Sequence, residues 1–181
     1  MSRYDDRANG APLILDSGCG TGYSTLLIAN MFPDHYVIGI DRSEFRLQKT
    51  VRGGASLLPD NIDFVRADLV DYWRLLYANS ISVAYHYLLY PNPWPKIGHV
   101  SRRWHGHPVF PTLLALGGVL ECRSNWKIYI DEFGFAVKTY QGILEDTALA
   151  TEIHKPIVPW TPFELKYLAS GHTLYRASVR L

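Results

Sequence analysis

The stretch LILDSGCGTG (13–22), running into YSTLLIANM (23–31), decides the fold. A short apolar run, a glycine-rich turn and a longer segment of helical composition read as a buried strand passing through a tight turn into a helix. The same alternation continues along the chain. YVIGID (36–41) is a second buried strand followed by a helix from Ser43 to about Leu58, and IDFVRAD (62–68) is a third strand followed by the short helix VDYWRLLYA. SVAYHYLL (82–89) is a fourth strand, ending at the proline-rich turn YPNPWPK, and a helix over about 108–116 stops at Gly117-Gly118. VLECR (119–123) is a fifth strand, with a helix over 126–139. A strand near 149–155, a loop with prolines at 156, 159 and 162, a short helix 162–169 and a last strand TLYRASVRL (173–181), antiparallel on the sheet edge, complete the chain. Strands alternating with helices predict an α/β fold: one doubly wound, mostly parallel seven-stranded sheet with an antiparallel last strand, Rossmann-like.

Composition agrees. With 181 residues, 48% hydrophobic and 19% charged, the chain is sized and balanced for one globular domain. A short polar segment (1–12) precedes a single domain over 13–181. Cys19 and Cys122 form no C-x-x-C pair, the N-terminus carries no apolar leader, and no apolar run approaches the roughly 18 residues of a membrane span, so a cytoplasmic protein without membrane contact is expected. His105 and His107 lack a third ligand at suitable spacing, so no metal is expected.

Net charge is +1, but charge is unevenly placed: Tyr72 to Leu120 holds no Asp or Glu, while Arg74, Lys96, Arg102 and Arg103 fall within it. The part from 96 to 107 has turn composition and is expected to be an exposed basic loop, with Lys96, Arg102 and Arg103 contacting RNA phosphates. Trp94 and Trp104, beside Pro and Arg in loops, could stack on a base. Trp73, Tyr77, Tyr85, Tyr87 and Tyr90 are expected to pack in the core and at strand ends.

Ligands of open α/β sheets bind outside the carboxyl ends of the strands. A dinucleotide fingerprint would need glycines at 18, 20 and 23, but position 23 is Tyr and the third glycine is Gly22. The acidic-x-G-x-G-x-G form headed by Asp16 suits S-adenosylmethionine, which needs close backbone approach but carries no pyrophosphate. Asp41, about 20 residues on, is placed to accept from both ribose hydroxyls. Asp68, after the third strand, could accept from the adenine amino group or simply cap the next helix.

DSGCGTG, VIGIDRS, VRADL, YPNPWPK, RRW (102–104), SNW (124–126) and TPFE (161–164) resemble, in order and spacing, the tRNA (guanine-N7)-methyltransferases of the class I methyltransferase superfamily. The resemblance runs from about Leu13 to the C-terminus. It implies an S-adenosyl-L-methionine-dependent enzyme of tRNA modification, with Asp16, Ser17, Gly18, Gly20, Gly22, Asp41, Arg42, Asp68, Leu69 and Asn92 about the cofactor. Asn92 stands nearest the methyl group as the catalytic position, and Lys96, Asn125, Thr161, Pro162, Phe163 and Glu164 bind the nucleoside. tRNA is the implied partner, with the chain a monomer or weak homodimer, or assisted by a partner subunit.

The chain departs from that family in three places. Asn92 and Asn125 stand where the family usually has Asp, and few residues precede the first strand, where a basic arm is common. Asn-Pro-Trp also resembles the motif of amino-group methyltransferases, which methylate an exocyclic nitrogen, and the two Asn positions leave room for a pseudoenzyme that binds cofactor or RNA without turnover.

Overall fold

A computed structural model describes residues 10–52, 58–142 and 149–181. Within them the sheet has seven strands: β1 (Leu13–Ser17), β2 (Tyr36–Asp41), β3 (Ile62–Arg66), β4 (Tyr85–Leu89), β5 (Val119–Ser124), β6 (Leu149–His154) and β7 (Leu174–Arg180). Their order across the sheet is β3-β2-β1-β4-β5-β7-β6. The first five run parallel, and β7 pairs antiparallel with both β5 and β6. The order reverses between β1 and β4, which opens a crevice above the carboxyl ends of those strands.

Among the described residues six α-helices connect the strands: α1 (Tyr23–Met31), α2 (Glu44–Arg52), α3 (Leu69–Ala78), α4 (Phe110–Ala115), α5 (Lys127–Gln141) and α6 (Pro162–Ala169). Successive strand residues face opposite sides. Leu13 and Leu15 therefore join a core with Trp73 of α3, Phe110 of α4 and Phe133 of α5, whereas Ile14 joins Ile28 of α1, Val37, Ile62 and Tyr87 on the other face. Gly39 lets α1 approach β2 closely, since a Cβ there would lie 2.7 Å from the Thr25 hydroxyl.

Two expectations fail. The last strand is antiparallel but not at the edge: β7 lies between β5 and β6, and β6 forms the border. Its Leu174, Ala177 and Val179 are buried, as an interior strand requires. Tyr77 is exposed on α3 rather than packed. The expected N-terminal segment over residues 1–9 and the expected continuation of the second helix over 53–57 lie outside the described residues.

Candidate active site

The loop after β1 is strapped to the end of β2. Gly18 and Cys19 donate their backbone N–H groups to the Ile40 carbonyl at 2.8 and 3.0 Å, and Gly20 N–H donates to Asp41 Oδ2 at 3.0 Å. Gly18 and Gly20 have φ of +85° and +61°, a region that side chains strain to enter, and a Cβ on either would meet nothing within 4 Å. The loop thus presents bare backbone to open space. Cys19 is buried in it, and burial, with Asp16 and Asp41 nearby, pushes its thiol far above the usual range, so it packs rather than reacts.

Asp16 lies beneath the loop, 1% exposed. Ser24 Oγ and Thr25 Oγ1 donate to its Oδ2 at 2.6 and 2.7 Å, while Oδ1 has no hydrogen-bond partner in the described structure. Burial raises its pKa against the pull of the two hydroxyls. A buried acceptor atom without a donor costs about 1–3 kcal/mol, and it marks where a ligand's donor or cation would be favoured. Asp41 accepts from Ser43 N–H at 2.8 Å as well as from Gly20, and exposed Arg46 reaches its Oδ2 at 3.3 Å. Open glycine backbone flanked by two acidic side chains fits an ammonium-bearing nucleoside such as S-adenosylmethionine.

Other expected members of this half divide. The Ser17 hydroxyl is turned into the fold, accepting from Trp73 Nε1 at 3.2 Å and lying 2.8 Å from Nε2 of buried His86. Gly22 caps the start of α1, and Arg42 is exposed. Asp68 is exposed and caps α3, accepting Val70 N–H at 2.8 Å. Leu69 packs on the core edge.

Beyond β4 the chain enters a strained loop, with Tyr90 and Trp94 at φ +55° and +44° on either side of exposed Asn92. Asn92 Oδ1 accepts from Trp94 N–H at 3.2 Å. Arg103 then fixes the loop from inside: its Nε and Nη2 donate to the Trp94 carbonyl at 3.3 and 3.1 Å, and its Nη1 pairs with Glu132 of α5, which His105 Nε2 also approaches at 3.1 Å. Arg103 is only 6% exposed, so the expected phosphate contact gives way to a role as a clasp. The expected exposed loop 96–107 folds into two 3₁₀ turns, Ile97–Arg102 and Trp104–Gly106, leaving Lys96 and Arg102 exposed. Trp104 meets Trp73 edge-on at 4.7 Å and belongs to the core.

Glu164, expected to hold substrate, is wholly buried at the start of α6. Its Oε1 accepts from Arg123 Nη1 at 2.9 Å and Tyr90 Oη at 3.1 Å, and its Oε2 accepts from Trp160 N–H at 2.6 Å. Arg123 also donates to Glu121 at 2.6 Å and lies 3.9 Å from the centre of the Trp160 ring. Glu164 is therefore a positioning residue joining β4, β5 and α6. Thr161 is the buried cap of α6, accepting Glu164 N–H at 3.0 Å, while Pro162 and Phe163 are exposed beside it and Asn125 is half-buried after β5. Sequence reasoning missed Arg123 and Glu132. The spacing Glu121-x-Arg123 on a strand, which puts both charges on one face, was the available signal for the first; Glu132 had none.

Residues 10–177 match the Methyltransf_4 family of methyltransferases. The tRNA (guanine-N(7)-)-methyltransferase of Bordetella pertussis is 29% identical over 168 residues, covering 91% of this chain and 65% of the relative. That of Mycolicibacterium gilvum is 32% identical, covering 88% and 64%. The chain thus spans just under two thirds of the length of these relatives. Among solved structures, the 16S rRNA methyltransferase KamB superposes with a TM-score of 0.70 over 99% of this chain and 93% of its own, at 14% identity, a likeness of fold. Since the family match spans residues 10–177, from before β1 into the antiparallel β7, this chain belongs to that methyltransferase family.

Proposed function

We propose that this chain transfers a methyl group from S-adenosylmethionine to N7 of a guanosine in tRNA. When bound, the cofactor supplies a methyl group activated on a sulfonium. The open glycine backbone and Asp16 Oδ1 would receive its amino-acid portion, and Asp41 its ribose, with Arg46 moving aside.

The observation that carries the choice of acceptor atom is Asn92. Asn92 supplies no base, and guanine N7, an sp² lone pair, needs none; an exocyclic amine can lose its proton to solvent after methyl transfer, so the choice between the two rests on the hydrogen bonding of Asn92. Because Asn92 Oδ1 already accepts from Trp94 N–H, the amide's Nδ2 remains to donate, which suits guanine O6 beside N7. An amino substrate would have to share that oxygen with Trp94 N–H. The named activity of the relatives supports tRNA as the carrier, and exposed Lys96 and Arg102 supply cations for its phosphates.

The test is transfer of labelled methyl from S-adenosylmethionine to unmodified tRNA, followed by nucleoside analysis. Label in 7-methylguanosine is expected. Label on an exocyclic nitrogen would select the amino-group reading, and no transfer by protein that binds the cofactor would select the pseudoenzyme.

A further inference from the structure

Trp94 carries two marks that core packing does not explain. Its backbone is held in the left-handed region, φ +44°, a costly conformation for a bulky side chain, by the Arg103 clasp on its carbonyl and by Asn92 on its N–H. Its ring face is covered by the guanidinium of exposed Arg102, 4.8 Å from the ring centre. His99 packs edge-on against the same ring at 5.5 Å. The ring is thus fixed two residues from Asn92, with a surface cation over its face.

We propose that the Trp94 face is a cation platform, which Arg102 occupies in the free chain and which passes to the purine ring as methylation charges it. This rests on the guanine-N7 reading. In that reaction the N7 lone pair forms the new N–C bond as the C–S bond breaks with its electron pair going to sulfur. The positive charge moves from sulfonium to purine, and no proton is transferred. An aromatic face attracts a cation more than a neutral ring, so contact with Trp94 strengthens as the reaction proceeds and favours the transition state over bound substrate. It supplies part of the stabilisation that a carboxylate at position 92 would give and Asn92 does not. Arg102 links the platform to RNA: a phosphate offers its guanidinium charge-assisted hydrogen bonds, stronger than an exposed ring contact, and so draws it off the face.

The test uses the whole chain and needs no cofactor. 7-Methylguanosine, at mildly acidic pH where its ring keeps the full positive charge, and neutral guanosine are each titrated into wild type, Arg102→Ala, Trp94→Phe and Trp94→Ala. Removing Arg102 is expected to tighten 7-methylguanosine by about three- to tenfold, with a much smaller change for guanosine. Trp94→Phe should retain part of the preference for the charged ring, and Trp94→Ala should lose it. Equal affinity of all folded variants for 7-methylguanosine, or no preference over guanosine in Arg102→Ala, would overturn the platform. Nucleoside analysis of methylated tRNA from the same preparations separates the two ideas. Methyl on another atom ends the guanine-N7 reading whatever the titrations show, and N7 methylation with flat titrations ends the platform alone.

Discussion

Asp16 and Glu164 are both buried carboxylates, 1% and 0% exposed, yet their environments push them in opposite directions. Around Asp16, burial outweighs the Ser24 and Thr25 hydroxyls and raises the pKa above 3.8. Around Glu164, burial alone would do the same, but His154, Trp160 N–H and Arg123 overcome it and hold the pKa down to about 2. The difference separates two halves of one crevice. The half at β1 and β2 is held by backbone and leaves a carboxylate oxygen without a donor. The half at β4, β5 and α6 is held by ion pairs among the protein's own groups, Arg123 with Glu121 and Glu164. The first has the chemistry of a site that receives a ligand, and the second that of a frame.

Breaking the frame should have the largest effect. Glu164→Gln leaves Arg123 sharing only Glu121, and loss of one partner from a buried pair costs about 3–5 kcal/mol; urea unfolding measures it. A double-mutant cycle with Arg123→Met should show strong coupling, and additive single effects would mean that the two charges do not support one another.

Next comes the Arg103 clasp. Arg103→Gln keeps some hydrogen bonding but removes the charge facing Glu132 and one of the two donors on the Trp94 carbonyl. A fall in methyl transfer of about a hundredfold is expected, the scale of a misplaced catalytic loop, with affinity for S-adenosylhomocysteine unchanged. A contact with tRNA phosphate would instead raise KM for tRNA and flatten its salt dependence while sparing kcat. The kcat–KM split therefore distinguishes the clasp from the phosphate contact that composition alone suggests.

A smaller change is expected from Asn92→Asp. Position 92 is exposed, so an Asp there would be ionised near neutral pH, and in the proposed reaction, where the purine ring becomes cationic, restoring that charge should raise the rate by up to about tenfold. If the rate stays flat or falls, charge at 92 does not limit the reaction.

Acid titration sharpens the comparison further. Glu164 contributes stability that is fully present above its unfolded pKa of 4.5 and is lost as pH falls toward about 2. Asp16 acts oppositely: its folded pKa lies above 3.8, so its contribution is fully present below that value and is lost as pH rises through the folded pKa. His86, which burial lowers to about 3, takes up its proton in the unfolded state first, so stability should begin to decline as pH drops below about 6.5. Denaturant midpoints across this range check the signs: Glu164→Gln should flatten the acid limb at its low end, and Asp16→Asn should steepen it.

The same division explains what could be read from the chain. The first half is local: Asp16, Gly18, Gly20 and Gly22 fall within seven residues, and Asp41 follows at the end of the next strand, so spacing alone placed them together. Strand alternation likewise yielded the seven strands. The interior position of β7 was not legible, because pairing with β5 and β6 depends on contacts between segments far apart in sequence. The second half is built from such contacts. Arg103 reaches Glu132, and Arg123 reaches Glu164, 41 residues on. Each of these residues, taken singly, reads as a surface charge or a substrate ligand. Burial is what turned Arg103 and Glu164 from expected RNA and nucleoside contacts into supports for the loop that carries Asn92 and Trp94.

The most direct measurement is calorimetric binding of S-adenosylhomocysteine to wild type and Asp16→Asn, with melting curves on the same samples. If Asp16 Oδ1 is kept for a cationic ligand, the substitution should weaken binding by about tenfold or more, since charge-assisted hydrogen bonds are roughly twice as strong as neutral ones. The melting temperature should hold or rise, because a buried charge has been removed. Unchanged affinity together with a lower melting temperature would contradict this and make Asp16 another part of the frame.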